Sequence, residues 1–215
     1  MKRTFPSTPI TLAALLALSL TPAMPVRGAD SAENAALMKE KIQTLRQECA
    51  QGRNQIALTL EELSRLTVAG VDLRPQFEKY KAELVKMEAK AASARERAVS
   101  MKEKGHAFFG EWEAQVKTIQ NDGIRKEAEK RLAKRRKSYG KILSAMGEAK
   151  DELVPFMSDL NDIRKLLDGE LSASTVSSTK SLIRQANWHG EDVRESLADV
   201  EQELDRVSAE LAKYK

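Results

Sequence analysis

Apolar residues recur at steps of three and four along most of the chain, and charged residues fill the positions between them. One series consists of Phe77, Tyr80, Leu84, Met87, Ala91, Ala94, Ala98, Met101, Gly105, Phe108, Trp112, Gln115 and Ile119. This alternation is the heptad repeat of helices that pack side by side along their length. It predicts a long helix between Pro75 and Asn121, and Pro75 suits the first turn, where a missing N–H costs nothing.

Three other segments follow the same rule. The next series consists of Ile124, Ala128, Leu132, Arg135, Tyr139, Ile142, Met146, Ala149, Leu153, Phe156, Leu160, Ile163 and Leu167. The last consists of Val176, Thr179, Ile183, Ala186, Gly190, Val193, Leu197, Val200, Leu204, Val207, Leu211 and Tyr214. The first is less regular and consists of Met38, Ile42, Leu45, Cys49, Gly52, Ile56, Leu60, Leu63 and Leu66. We call these residues the heptad positions, and Ser172 or Ser174 can cap the last helix.

Pro155 lies inside the third of these segments. A proline in a helix interior normally costs about 3 kcal/mol and kinks or ends the helix. The heptad positions nevertheless keep their phase across Pro155. Because a chain that broke and restarted would have no reason to keep that register, we predict one kinked helix from Ile124 to Leu167.

The connections between the segments are short, at residues 67–74, 120–123 and 168–173, and each contains a glycine. Short connections make long helices antiparallel neighbours. We therefore predict an all-α fold, an elongated antiparallel up-down bundle of four long helices with coiled-coil-like heptad packing. Counted from the turns, Pro155, residues 188–190 and residues 89–94 fall at one level. We expect the indole of Trp188 to pack there beside the kink, a ligand or a partner helix being the alternative contacts.

The composition agrees with long helices and argues against strands. Charged residues make up 32% of the chain and aromatic residues 5%, which disfavours an all-β domain. The single cysteine excludes a disulfide framework and a zinc site built from cysteines. Cys49 is a heptad position, which predicts a small buried side chain rather than a reactive thiol.

Catalytic and metal-binding motifs are not complete in this sequence. Glu103 and His106 have the Glu-x-x-His spacing of four-helix di-iron proteins, which need that motif twice together with two further carboxylates. The other histidine is His189, and Ala186 stands three residues before it. There is no nucleophile elbow, glycine-rich phosphate loop or metalloprotease helix motif. We predict no cofactor, no metal and no enzymatic activity.

Residues 1–28 read as a secretory signal peptide. Lys2 and Arg3 precede an apolar run at residues 10–20 that is too short to span a bilayer. Cleavage near Gly28 or Ala29 fits best, and Ala23 is a further candidate. No cysteine follows the run at a lipidation position. We predict a periplasmic protein with a Sec-type signal that is not a lipoprotein, with one helical-bundle domain at residues 30–215.

The charge balance disfavours nucleic acid as a partner. The whole chain has 36 Lys and Arg against 32 Asp and Glu. Loss of the leader removes Lys2, Arg3 and Arg27 but no acidic residue, which leaves 33 basic residues against the same 32 acidic ones. A nearly neutral protein has little overall field to attract nucleic acid, so we predict no such partner.

The densest group of charges lies at residues 125–137, where eight basic and two acidic residues surround the heptad positions rather than forming one stripe. One interpretation is contact with anionic lipid headgroups or an acidic envelope polymer. The residues for it are Lys130, Arg131, Lys134, Arg135, Arg136 and Lys137. The other is compensation within the bundle by Glu201, Glu203, Asp205 and Glu210 of the last helix and by Glu111 and Glu113. Arg135 is a heptad position, so we expect it to reach the rim or a carboxylate.

A set of residues within positions 108–155 resembles a known family. Trp112, the pair Arg135-Arg136, Tyr139 and Pro155, with Leu73, Phe77 and Tyr80 upstream, resemble the bacterial domain-of-unknown-function family 2959. Its members are exported coiled-coil proteins of the Gram-negative envelope, many with a lipidation cysteine, and the resemblance implies an envelope location here. This chain departs in lacking that cysteine and in having Asp168-Gly169 near a usual His-Asn pair. The family brings no established activity or site residues.

These features predict a non-catalytic periplasmic scaffold or protein-interaction module. Its partner would be an unidentified protein or a second copy in a homo-oligomer. The alternative is a peripheral binder of anionic envelope surfaces through residues 130–137. Ionic strength separates the two, because binding by exposed charges weakens as salt rises and packing between helices does not.

Overall fold

The computed structural model describes residues 28–212, with side chains from Lys39 onward except that of Leu211. The predicted leader lies outside the described residues except for Gly28, at which α1 begins. The described chain forms helices α1 (Gly28–Arg65), α2 (Leu73–Lys117), α3 (Asp122–Gly169), α4 (Ala173–Ser178) and α5 (Lys180–Ala212). The all-α prediction is confirmed. The last predicted helix is divided at Thr179, so that α4 forms a short fifth element before α5.

Polar side chains cap the starts of three helices at the predicted connections. Asp72, Asn121 and Ser172 each cap the helix that follows by accepting a hydrogen bond from a backbone N–H. Ser172 is therefore the cap, and Ser174 lies inside α4. In the α1–α2 turn, Gly70 has a φ of 78°, a left-handed conformation that favours glycine.

Pro155 lies inside α3, which continues unbroken for 48 residues. The prediction of one helix across this proline is confirmed. At a rise of about 1.5 Å per residue, α3 is roughly 70 Å long, so the bundle is elongated.

Contacts between side chains show that neighbouring helices are antiparallel. Arg46 pairs with Asp205 and Arg53 with Glu201, so that residue numbers rise along α1 as they fall along α5. The same reversed order relates α1 to α2, α2 to α3 and α3 to α5. These four pairs form a closed ring, and α4 joins α3 to α5 at one end. The up-down topology is as predicted.

The set of helices that contribute to the core changes along the bundle. Near the α1–α2 turn all the helices contribute to the main cluster, which includes Ile56, Leu63, Tyr80, Leu84, Phe156, Leu160, Val176, Ile183 and Val193. A second cluster further along is built mainly from α1, α3 and α5, with Met101 from α2. The third belongs to the α2–α3 hairpin alone. Packing against α2 loosens between Ala91 and Met101, and Ala94, a predicted heptad position, is exposed.

The helices pack closely beside Pro155, but Trp188 is not part of this packing. Phe156 is fully buried there and packs against Gly190, where an added Cβ would lie 2.7 Å from Leu60 Cδ1 and 3.1 Å from Phe156 Cε2. Trp188 is 74% exposed. Two residues correspond to about 200° of rotation, so a side chain at position 188 points away from the core that residue 190 faces. The prediction that its indole packs beside the kink is wrong.

Candidate functional site

Apolar side chains pack in three clusters along the bundle, and the charged candidate residues lie on its surface. A groove of about 290 Å³ lies between α3 and α5, lined by Ser138, Lys141, Glu203, Arg206, Val207, Ala209 and Glu210. Among the described residues no group of three His, Cys, Asp or Glu is placed to hold a metal ion. No described helix has a stretch long and apolar enough to cross a membrane.

Cys49 packs against the second core cluster and is half-buried. Burial raises the pKa of its thiol to about 11, and the nearby carboxylates Glu201 and Glu48 act in the same direction. The thiol form is therefore strongly favoured at neutral pH, in agreement with the prediction of a packing role. His106 is exposed, beside the buried Gly105.

An aromatic cluster joins α2 to α3 near the hairpin end. Phe108 and Phe109 have ring centroids 5.2 Å apart, and Phe109 lies 5.3 Å from Tyr139. Trp112 stacks on Phe109 with an interplanar angle of 12°. The hydroxyl of Tyr139 donates a hydrogen bond to the carbonyl of Met101. Burial raises the pKa of Tyr139, so this hydroxyl remains a donor at neutral pH.

Arg136 closes this aromatic cluster on the α2 side. Its guanidinium donates to Glu113 Oε2 at 3.1 Å and to the carbonyl of Phe109 at 3.3 Å. It also lies 5.6 Å from the centroid of the Phe109 ring. Lys117 and then Arg136 lower the pKa of Glu113 through hydrogen bonds. Of the two acidic residues predicted on α2, Glu113 is thus a confirmed partner of the basic segment.

The other predicted site residues lie around α3 in different directions. Arg131 pairs with Glu127 one turn earlier, at 3.2 Å, and Arg135 is half-buried at its heptad position. Lys130, Lys134 and Lys137 are exposed on the side opposite the core. With Lys126 and Lys141 they follow one helical face, and we call these five residues the lysine stripe. The charges of residues 125–137 as a group surround α3, although the lysines among them share one face.

The acidic residues predicted to compensate the basic segment mostly have other partners. Glu201 pairs with Arg53 and Asp205 with Arg46, both on α1. Glu203 pairs with Arg206 on α5 itself. Glu210 meets the edge of the basic segment, where it accepts a hydrogen bond from Ser138 at 3.2 Å. The predicted pairing with Glu201, Glu203 and Asp205 is therefore wrong, because these residues lie level with α1 arginines or are held within α5.

A second exposed stripe on α5 was missed by sequence analysis. Trp188, Asp192, Glu195 and Asp199 are all exposed, and their spacing places them on one face opposite the heptad positions. None of these three carboxylates forms an ion pair with another described residue. We call these four residues the acidic stripe. A sign of this stripe is present in the sequence, because its four residues follow one another at steps of four, three and four although they are not heptad positions.

The two stripes lie in regions of opposite charge. Residues 102–141, which form the hairpin end and its flanks, contain twelve basic and six acidic residues. Residues 191–210 of α5 contain two basic and eight acidic residues. The chain, with a formal net charge of +4, thus carries two separate regions of opposite charge.

Trp112, Arg136 and Tyr139, which suggested a family resemblance, thus lie together at the α2–α3 contact. The family model for the protein of unknown function DUF2959 matches residues 31–212. The chain belongs to this family. The match covers all but the first three residues of the described chain, including both stripes. No curated protein matches the chain, and no solved structure does either.

Proposed function

We propose that this DUF2959 protein is a non-catalytic scaffold or interaction module of the periplasm that works through its outer helix surfaces. The observation that carries the proposal is the acidic stripe, where three exposed carboxylates and a Trp share one face. These charged residues and Trp188 lie on the outer face of α5, away from the apolar core, and exposed aromatic residues are frequent anchors of protein interfaces.

Site-directed photocrosslinking in intact cells tests this proposal. A photoreactive amino acid at position 188 is expected to give a discrete crosslinked protein band. The same amino acid at position 90, an exposed position on α2 outside both stripes, is the control and should give none. Equal, diffuse crosslinking from both positions, or none from either, would count against an interaction role for α5.

The periplasmic location rests on the leader and needs its own test. We expect the chain to be released with the periplasmic fraction and to have lost residues 1–28 or a segment ending within one residue of that site. Intact mass spectrometry of the released protein measures the cut. A full-length mass in the cytoplasmic fraction would contradict both the export and the cleavage.

A second candidate function is binding to anionic envelope surfaces through the basic hairpin. It is favoured by the exposure of the lysine stripe and by the excess of basic residues at the hairpin end. Vesicles that contain phosphatidylglycerol should then retain the protein at low salt, whereas vesicles of phosphatidylcholine alone should not. Changing Lys130, Lys137 and Lys141 to Glu should abolish retention, and rising salt should weaken it because exposed charges are screened.

A further inference from the structure

We propose that the partner of this chain is a second copy, with the lysine stripe of each copy lying along the acidic stripe of the other. This inference rests on the proposed interaction function and names the partner. The main observation behind the proposal is that the two stripes have the same residue spacing. Lys130, Lys134, Lys137 and Lys141 are separated by four, three and four residues, and so are the four members of the acidic stripe.

Each stripe can contact a second helix along its whole length. Residues at steps of four, three and four lie on one face of an α-helix, and the eleven steps from the first to the last residue cover about 16 Å. The core-facing positions of α3 and α5, such as Leu132 and Val193, lie on the opposite sides of these helices. A second helix can therefore contact the whole length of either stripe without disturbing the bundle.

The carboxylates of the acidic stripe differ from their neighbours on α5. Glu191, Glu201, Glu203 and Asp205 all pair with arginines within the chain. Asp192, Glu195 and Asp199 form no ion pair with any described residue. On α3, Lys130, Lys137 and Lys141 likewise form none in the part of the chain that the structure describes. Three lysines of the lysine stripe and the three carboxylates of the acidic stripe thus hold charges of opposite sign that no ion pair among the described residues uses.

Trp188 gives the contact an apolar anchor. Its 74% exposure is the largest among the exposed large hydrophobic residues described. In the matched register it meets Lys130, whose ammonium can lie over the indole face in a cation–π contact. Trp is also enriched among the residues that dominate interface energies. Lys134, Lys137 and Lys141 then face Asp192, Glu195 and Asp199 in order.

The topology makes this contact self-complementary. Within one copy, α3 and α5 are antiparallel. A twofold axis perpendicular to the bundle reverses the direction of every helix in the second copy, so that α3 of one copy runs parallel to α5 of the other. The His189–Asp159 and Ser138–Glu210 contacts fix the register between α3 and α5. By that register the stripes lie roughly 28 Å apart along the bundle, with the axis midway between them. The contact then occurs twice and closes a dimer rather than a filament.

Charge reversal on each stripe tests the dimer. The lysine-reversed chain carries Lys130→Glu, Lys137→Glu and Lys141→Glu. The acid-reversed chain carries Asp192→Lys, Glu195→Lys and Asp199→Lys. The control carries Lys79→Glu, Lys90→Glu and Lys180→Glu, three exposed lysines outside both stripes and without ion pairs among the described residues. Each protein is purified after expression of the whole chain, and sedimentation equilibrium measures its mass at low and high salt.

We expect the unchanged protein and the control to dimerise at low salt. The dissociation constant should rise at least about tenfold at high salt, because the contact depends on exposed charges. Each reversed chain alone should be a monomer, with an unchanged helical circular dichroism spectrum. A mixture of the two reversed chains should form a heterodimer, because both contacts then join opposite charges. That restored association also shows that both variants are folded.

Three results would overturn the dimer. One is an unchanged protein that stays monomeric at low salt; another is a dimer that survives both reversals. The third is a mixture of reversed chains that does not associate. If the protein is monomeric but position 188 crosslinks to a different protein, the interaction function stands and the partner assignment fails. If the lysine-reversed chain loses only its retention on phosphatidylglycerol vesicles, the lysine stripe serves an anionic surface instead.

Discussion

The ring of Tyr139 on α3 occupies the space that a side chain at position 105 of α2 would need. A methyl group on Gly105 would overlap the hydroxyl and the adjoining ring atoms of Tyr139. The hydrogen bond from Tyr139 to the carbonyl of Met101 fixes the ring in this place. Gly105 therefore lets α2 and α3 approach closely where the hairpin meets the rest of the bundle.

Gly105→Ala should destabilise the protein because the ring of Tyr139 cannot move without losing its hydrogen bond. Overpacking of this kind costs about 1–3 kcal/mol in the free energy of unfolding. Urea denaturation followed by circular dichroism measures the change. Gly110→Ala on the same helix is the matched control, since no atom lies within 4 Å of the added methyl. It should be stabilising by about 0.5–1 kcal/mol, because alanine favours a helix over glycine. Equal effects at the two glycines would contradict the steric role.

Gly190→Ala should also destabilise the bundle, through a methyl group pressed against Leu60 and Phe156. Both neighbours belong to the main core cluster, where packing leaves little room to adjust. Adding Phe156→Leu should recover part of the loss, so that the two changes are not additive. Thermal unfolding of the single and double variants measures this coupling, with Gly147→Ala as a control that meets no atom within 4 Å. Strict additivity would show that residues 190 and 156 do not share the constraint.

Glu83 should make the link between α1 and α2 sensitive to acid. It accepts hydrogen bonds from Lys86 at 2.7 Å and from the buried Gln55 at 2.8 Å, which lower its pKa. Because the folded-state pKa lies below the ordinary value of 4.5, the ionised carboxylate stabilises the folded protein above that pH. This contribution disappears as the pH falls through the folded-state value.

We therefore expect Glu83→Gln to lower the free energy of unfolding at neutral pH and to lose this effect below pH 4.5. Urea denaturation across that range measures the difference between the variant and the unchanged protein. Glu96→Gln, at an exposed position on the same helix, controls for removal of a surface charge. A deficit that persists unchanged in acid would mean that the carboxylate's charge does not contribute.

Cys49 should react slowly with thiol reagents while the bundle is folded. Its raised pKa, about 11, leaves little of the reactive thiolate at pH 8, and neighbouring core residues restrict access. Iodoacetamide labelling followed by mass spectrometry is expected to be at least about tenfold slower in buffer than in urea, where the pKa returns to its ordinary value. Equal rates would show that the α1–α5 interface opens readily at this level.

The heptad pattern determined most of the fold. It placed the long helices, the short connections and the continuous path of α3 through Pro155, because one buried stripe on each helix imposes the repeat on the sequence. Its wrong predictions of burial lie where the number of helices packed around the core changes along the bundle. Ala94 is exposed where packing against α2 loosens, and Ile124 is 61% exposed at the start of α3. Periodicity identifies the face of a helix but not how many neighbours cover it at each level.

The sequence by itself determined which charges each helix carries and at what spacing. Only the tertiary structure decided which of them are paired, because an ion pair between helices depends on their relative register and rotation. Arg136 meets Glu113 across the hairpin, whereas Glu201 and Asp205 meet α1 arginines rather than the basic segment. The exposure of Trp188 follows from the same cause. Gly190 turns toward Phe156, and the two-residue offset then directs the indole outward beside Asp192.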